Sequence, residues 1–438
     1  MSDTPLFSAI KNYIGLHRAR CHTPGHSGRA GALKDFAAVL PFDVTEIDGL
    51  DSLYDADGPI LEAEKLTAKL FGCRRTLFSA GGCTLAIQTM LSLVGGKIAF
   101  GRNLHRSAVS AAALLGIEPV WLYPENGVIT PQTVKSAFEK HPDLSGVYIT
   151  SPDYYGRMCD IKSIADICHR RGAVLMVDNA HGSHLRFFTP SLHPVSLGAD
   201  LVACSTHKTL PVLTGGAWLH INNEKFIGSA KAKMALFGST SPSYLIMASL
   251  DVCRHWLETH GQGEFERLKQ VAKALKTTAQ NLGLGFDFDN CDPTRLTLDT
   301  GKLGISGKTA AQILFENGIS AEYSDLRYCV LILTPFHTQE EIKSIENALL
   351  EIGRLKGNRQ AFEIPPLPRP TAAMDLRQAV LCSAKTVPIN QSLGKIAAQP
   401  VSPCPPGIPA VIPGEIICEG TLEYLGFYGI KQVEVIDN

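Results

Sequence analysis

The sequence predicts an α/β protein with a large domain on a mainly parallel sheet, a smaller α/β domain and a short C-terminal domain. Three observations lead there. Between Leu77 and Ile221 short apolar runs alternate with amphipathic segments; after about Asp251 the strand candidates become shorter; and Ile364-Pro365-Pro366-Leu367-Pro368-Arg369-Pro370 reads as a linker by composition. Apolar runs without polar alternation are strands covered on both faces, which calls for helices on either side of a largely parallel sheet.

Along the chain, Arg75-Thr76-Leu77-Phe78 reads as a strand, and Gly81-Gly82-Cys83-Thr84 as the turn into a helix carrying Leu85 to Val94. Val147 to Thr150 is the next buried strand. Ile161, Ile164, Ala165 and Cys168 then recur at helical spacing, with a stop at Arg171-Gly172. Val174–Val177, Leu201–Cys204 and Ala217–Ile221 are further strands. Helical charge patterning covers Glu264 to Gln280, followed by strands at Arg295–Leu298 and Cys329–Leu333 around a helix from Lys308 to Asn317. This smaller domain ends near Leu355, and a helix from Met374 to Leu381 and a proline-rich turn region from Pro400 to Pro413 make up the tail. The boundaries read as an arm over 1–25, the large domain over 26–255, the small domain over 256–360, the linker over 361–370 and the tail domain over 371–438. No internal repeat or low-complexity segment is visible.

Composition narrows the class. In 438 residues Lys+Arg 41 against Asp+Glu 42 leaves a formal charge of −1, so no bulk field favours nucleic acid or an anionic membrane. No apolar run approaches the roughly 20 residues that span a bilayer. The start, Met1-Ser2-Asp3-Thr4-Pro5, lacks a basic region followed by an apolar core. The 12 cysteines include no Cys-x-x-Cys pair and read as reduced, mostly buried thiols. A cytoplasmic protein is expected.

The residues that carry chemistry sit at the predicted strand ends, where ligands of such sheets bind. Asp178 closes the run Val174-Leu175-Met176-Val177, and Lys208 follows thirty residues later in Ser205-Thr206-His207-Lys208-Thr209. A lysine for a covalent imine bond and a carboxylate to keep a pyridine nitrogen protonated are what pyridoxal phosphate needs. Ser205 and His207 are expected to hold its phosphate. So are the N–H groups at the helix start Gly82-Cys83-Thr84, with the Thr84 hydroxyl. A flat imidazole suits a delocalised ring, which makes His105 a stacking candidate beside a capping or surface role. Ser151 could reach the cofactor's phenolic oxygen or cap a loop. His181 is expected beside the cofactor, near the phenolic oxygen or a substrate carboxylate. His207 or a neighbouring acid is a candidate for delivering a proton. Asp178, His181 and His184 have the look of metal ligands, but sequence proximity alone does not converge three ligands, and no metal is expected. Ser306-Gly307-Lys308-Thr309 is a helix start; a phosphate loop needs glycine where Lys302 stands.

Over most of its length the chain resembles the short bacterial ornithine/lysine/arginine decarboxylases of aspartate-aminotransferase fold (fold type I). The most specific piece is Ser205-Thr206-His207-Lys208-Thr209-Leu210-Pro211-Val212-Leu213-Thr214. It is supported by His22-Thr23-Pro24-Gly25-His26, Asp43-Val44-Thr45-Glu46-Ile47-Asp48-Gly49-Leu50-Asp51, Ser241-Pro242-Ser243-Tyr244, and the tail pieces Pro405-Pro406-Gly407-Ile408-Pro409 and Pro413-Gly414-Glu415. The resemblance implies a PLP-dependent transferase-like large domain, with Lys208 as the covalent lysine, Asp178 on the pyridinium and His105 on the ring. It implies α-decarboxylation of a basic amino acid in a homodimer, or larger homo-oligomer, with shared active sites. Arginine is preferred slightly over lysine or ornithine. Glu46, Asp48 and Asp51 are candidates for the far end of the substrate, since a buried cation needs a carboxylate. Departures from the family pattern are Asn179 where Asp-Glu-Ala-His is usual, few hydroxyls in Ser79-Ala80-Gly81-Gly82-Cys83-Thr84, Ser27 in place of a lysine, and Cys404 in place of an aromatic. The alternatives are another fold-type-I PLP enzyme, such as an aminotransferase or carbon–sulfur lyase, and a catalytically silent homologue.

Overall fold

The computed structural model describes residues 3–357, 364–403 and 407–437. Twelve strands run in chain order β1 (Arg75–Ser79), β2 (Lys97–Gly101), β3 (Glu118–Leu122), β4 (Gly146–Thr150), β5 (Val174–Asp178), β6 (Leu201–Cys204), β7 (Ala217–Ile221), β8 (Arg295–Asp299), β9 (Tyr323–Ser324), β10 (Tyr328–Ile332), β11 (Ala384–Pro388) and β12 (Gln432–Ile436). The chain forms two compact units, one of residues 1–95, 134–151 and 160–263, the other of 96–133, 152–159 and 264–438. Residues 96–133 and 152–159 thus group with the C-terminal half, a partition that no linear reading of composition suggests.

In the first unit the strands lie in the order β1, β7, β6, β5, β4. β4, β5 and β6 are parallel, and β7 is antiparallel to both β6 and β1. The link from β6 to β7 holds only the helical turn Thr206–Thr209 and no crossover helix, so β7 returns in the opposite direction. All five residues of β5 are buried, as its unbroken apolar run requires. Helix Ile161–Arg170 buries Ile161, Ile164, Ala165 and Cys168, and Asp160 caps it by accepting from Ser163 N at 3.1 Å. Helix Pro59–Phe71 is held by Glu64, which is fully buried and accepts from Phe78 N (2.9 Å), Arg75 (2.9 Å) and Lys231 (2.6 Å). Burial raises the Glu64 pKa, and the two cations beside it act in the opposite direction.

In the second unit β2 and β3 pair in parallel, and β8, β10 and β9 form an antiparallel sheet beside helices Gly307–Glu316 and Gln339–Ile352. Ser306 caps the first of these by accepting from Thr309 N at 3.0 Å, so this segment is the helix start it was read to be. The predicted Met374–Leu381 helix spans Leu376–Leu381, because Asp375 is its cap, accepting from Arg377 N and Gln378 N. β11 and β12 close a small core of Ala397, Val411, Ile417, Leu425 and Val435. Gly414 has φ +89°, and a Cβ there would lie 2.4 Å from Met374 O, so the tight Pro413-Gly414-Glu415 turn demands glycine. Cys404, Pro405 and Pro406 of the proline-rich tail, residues 361–363 of the linker, and Met1 and Ser2 lie outside the described residues. Among the described residues every cysteine is free, and six are buried.

Candidate active site

Register places the chemistry. β4 and β5 pair Thr150 with Asp178, and β5 pairs Asp178 with Ala203 of β6, so the loops beginning at Ser151, Asn179 and Ser205 leave one end of the sheet together. Asp178 is 1 % exposed. Its Oδ2 accepts from Tyr148 Oη at 3.1 Å and its Oδ1 from Ala180 N at 3.1 Å. These donors orient the carboxylate and leave lone pairs for a further partner. Burial, then the Asp178 charge, pushes the Tyr148 phenol well up, so it remains a donor. The sequence reading missed Tyr148. Its signal was a polar-tipped aromatic in an otherwise aliphatic strand, two residues before the position that faces Asp178.

Lys208 lies in the turn Thr206–Thr209, half-buried, with Nζ 3.1 Å from His181 Nε2. His181 thus reaches the lysine, a contact the sequence reading did not name. No carboxylate pairs with this amine among the described residues. The Thr206 and Thr209 hydroxyls are buried without a hydrogen-bond partner in the chain. Ser205 is the N-cap residue of the turn, yet its side chain makes no capping bond; it meets the Cys83 thiol. Burial, then Asp178, pushes the Cys83 thiol up, with Ser205 and Lys208 acting against that rise, so acid, serine and lysine share one neighbourhood. His207 donates Nδ1–H to Gly216 O at 3.0 Å, which leaves Nε2 as its free nitrogen.

Helix Gly82–Val94 begins without a side-chain cap, at Gly82 in the left-handed region (φ +68°). Gly82 N donates to Gly215 O at 2.8 Å, and the Cys83 and Thr84 N–H groups belong to the uncapped first turn. Thr84 is exposed and Cys83 buried. An uncapped helix start of thirteen residues, two partnerless buried hydroxyls beside a lysine and a buried carboxylate together fit pyridoxal phosphate. Ser151 is buried, with its N–H donating to Asp178 O at 3.0 Å. His105 belongs to the other unit. It caps helix Arg106–Leu115, Nδ1 accepting from Ser107 N at 3.0 Å, so the capping role is real and engages the ring edge, not its face.

The acidic loop divides. Asp51 is buried and its carboxylate accepts from Gly58 N, Ile60 N and Leu61 N at 2.8, 2.8 and 3.3 Å. Gly58 has no side chain to cap helix Pro59–Phe71 and Pro59 has no N–H, so Asp51 supplies the cap from seven residues away. Asp51 is therefore engaged in the fold. Asp43 pairs with His26 at 3.1 Å. Glu46 and Asp48 remain exposed. Tyr244, from the Ser241-Pro242-Ser243-Tyr244 piece, donates to Asp51 O at 2.6 Å, which ties two of the motif segments together. Among the described residues Asp178, His181 and His184 do not come together as a ligand group, whereas His193, Cys204 and His220 do.

A parallel sheet with a buried acid and an underpaired lysine at adjacent strand ends defines a pyridoxal phosphate enzyme of fold type I. The family model "Orn/Lys/Arg decarboxylase, major domain" matches residues 4–297, and its C-terminal domain matches 355–432. Arginine decarboxylases of Bacillus subtilis (strain 168) and Bacillus anthracis are 32% and 33% identical over 97% of this chain, covering 93% and 92% of their own lengths. The lysine decarboxylase LdcF of Francisella novicida superposes with a TM-score of 0.84 at 20% identity, over 99% of this chain and 81% of that one. The chain belongs to the Orn/Lys/Arg decarboxylase family. It is a PLP-dependent amino-acid decarboxylase that acts on a basic amino acid.

Proposed function

We propose that the substrate is arginine and that its α-carboxylate is removed as CO₂. The observation that carries the reading is the buried Asp178 carboxylate in one neighbourhood with the underpaired Lys208 amine. Bound PLP supplies the electron sink for the bond broken at Cα. Asp178, fixed by Tyr148 and Ala180 N, holds the proton on the pyridine nitrogen. Lys208 provides the covalent attachment, and His181, at 3.1 Å from its Nζ, exchanges a proton with it. The first turn of helix Gly82–Val94, Ser205 and His207 bind the phosphate, with Thr84 adding a hydroxyl. The resemblance assigns His105 to stacking on the ring, and Ser151 would reach the phenolic oxygen. The proton to Cα would come from a neighbouring acid, or from His207 as an imidazolium if its Nε2 is not taken by the phosphate.

Arginine is favoured because the relatives at 32% and 33% identity are named arginine decarboxylases, whereas the lysine decarboxylase is 20% identical. A guanidinium takes a bidentate carboxylate. Glu46 and Asp48 are the acids of the candidate loop left exposed, and we assign them to the far end of the substrate. We further propose a cytoplasmic homodimer with shared sites, the arrangement the family resemblance implies. Light scattering on the eluting protein checks it, and a monomer at micromolar concentration overturns it.

The deciding experiment is CO₂ release, with added PLP, from arginine, lysine and ornithine separately. Fastest release from arginine is expected. Faster release from lysine or ornithine transfers the substrate assignment, and none from any of the three overturns the reading in favour of transamination, lyase chemistry or a silent protein.

A further inference from the structure

Asn179 carries no role in the reaction above, yet it is wholly buried beside Asp178 and both ends of its amide are engaged. Nδ2 donates to Ser151 O at 2.7 Å and Oδ1 accepts from Cys204 Sγ at 3.5 Å. Cys204 in turn lies 3.4 Å from His193 Nε2, and His193 Nδ1 accepts from Val195 N at 3.3 Å. The direction of each bond follows. The Val195 amide can only donate, so Nδ1 carries the lone pair. The neutral ring then carries its proton on Nε2, 3.4 Å from the sulfur, and donates to it. Asn179 Oδ1 can only accept, so the Cys204 S–H donates to it. The amide then has one orientation that works, with its NH₂ toward the Ser151 carbonyl.

One nitrogen of His193, Cys204 Sγ and one nitrogen of His220 lie within 4.8 Å of one another, a grouping that suggests a soft metal ion. A metal on His193 Nε2 would require the ring proton on Nδ1, where the Val195 N–H already points. The bonds describe an ordered chain instead.

We propose that Asn179 is a positioning residue, its amide locking the Ser151 segment at the cofactor end of the sheet while the Cys204 thiol sets which way the amide faces. Ser151 is thereby clamped twice to the Asp178-Asn179 dipeptide, through its N–H to Asp178 O at 3.0 Å and through its carbonyl to Asn179. A carboxylate at 179 offers no donor to that carbonyl, and an apolar residue offers neither partner. The inference rests on the reading that Ser151 and Asp178 face PLP.

The test is a set of variants of the PLP-loaded protein, followed by kcat, KM and the visible circular dichroism of the bound cofactor, which reports its orientation without turnover. Asn179→Leu and Asn179→Asp are expected to lower kcat about tenfold with KM within about twofold, the size expected when a buried acceptor loses its donor. Both should weaken the dichroism while retaining stoichiometric cofactor. Cys204→Val is expected to follow in part, and Cys204→Ser, which keeps a donor, to restore the signal. Unchanged kcat and dichroism in Asn179→Asp and Cys204→Val, with only the melting temperature reduced, overturn the proposal; this pair also serves if Asn179→Leu does not fold. If the unaltered protein releases no CO₂ from any basic amino acid, the dichroism alone decides the positioning role, so the two readings fail separately.

Discussion

Lys208 and Arg102 are both cations placed just after a strand, and the fold treats them oppositely. Arg102 follows β2, is wholly buried and has four of its five N–H donors engaged: Glu415 binds it through both carboxylate oxygens at 2.7 and 2.6 Å, and Pro409 O and Ala410 O accept from it at 3.3 and 3.4 Å. Glu415 Oε2 also accepts from Ile412 N at 2.8 Å. Lys208 follows β6, is half-buried and touches His181, with two partnerless threonine hydroxyls beside it. A charge that stabilises structure has its hydrogen-bonding capacity largely filled by the chain. The lysine proposed for the covalent role is held where the chain leaves that capacity open.

The largest expected effect tests the open end of this contrast. Lys208→Ala should abolish the visible absorbance of the covalently held cofactor and lower turnover by roughly 10⁴-fold or more, with little change in melting temperature. A normal spectrum would remove Lys208 from the attachment role. The paired end should behave in reverse. Glu415→Ala leaves the Arg102 charge buried and unpaired and should destabilise the second unit by about 3–5 kcal/mol in denaturant titration, the cost of breaking a buried pair. The double variant with Arg102→Met should lose less than the sum of the two single losses. Additive losses would mean that the pair does not act as a unit.

Asp178→Asn should keep cofactor but lose about 10²-fold in kcat, since a neutral amide holds the pyridinium proton poorly. Near-normal turnover would assign that task elsewhere. Asp51→Ala, read here as a helix cap, should cost about 1–2 kcal/mol of stability. If arginine turnover falls much further than folding explains, Asp51 returns to the substrate site. The smallest effect concerns pH. Burial lowers the His220 pKa to about 3 and takes His193 well below its usual value, so in acid the unfolded chain binds protons that the folded chain refuses. Stability should fall as pH drops below about 6.5, by at most about 1.4 kcal/mol per pH unit for each histidine. A melting temperature unchanged between pH 7 and 5 would show that these rings are not held neutral.

Local sequence determined the five strands of the first unit and its helices Gly82–Val94 and Ile161–Arg170, because apolar runs and helical spacing specify them without distant partners. Helices Pro59–Phe71 and Tyr244–Trp256 were not read from it. It also singled out Asp178 and Lys208, because residues at strand ends in a parallel sheet fall where ligands bind. It ranked Glu46, Asp48 and Asp51 together, since three acids in one loop look alike until their hydrogen bonds are known. Tertiary structure separated them by giving Asp51 three backbone donors. Only tertiary structure supplied Tyr148 beneath Asp178, the Asn179–Cys204–His193 chain and the Arg102–Glu415 pair, the last joining residues 313 positions apart. A hydrogen bond depends on where two atoms meet in space, and no local pattern records a meeting between segments brought together by folding.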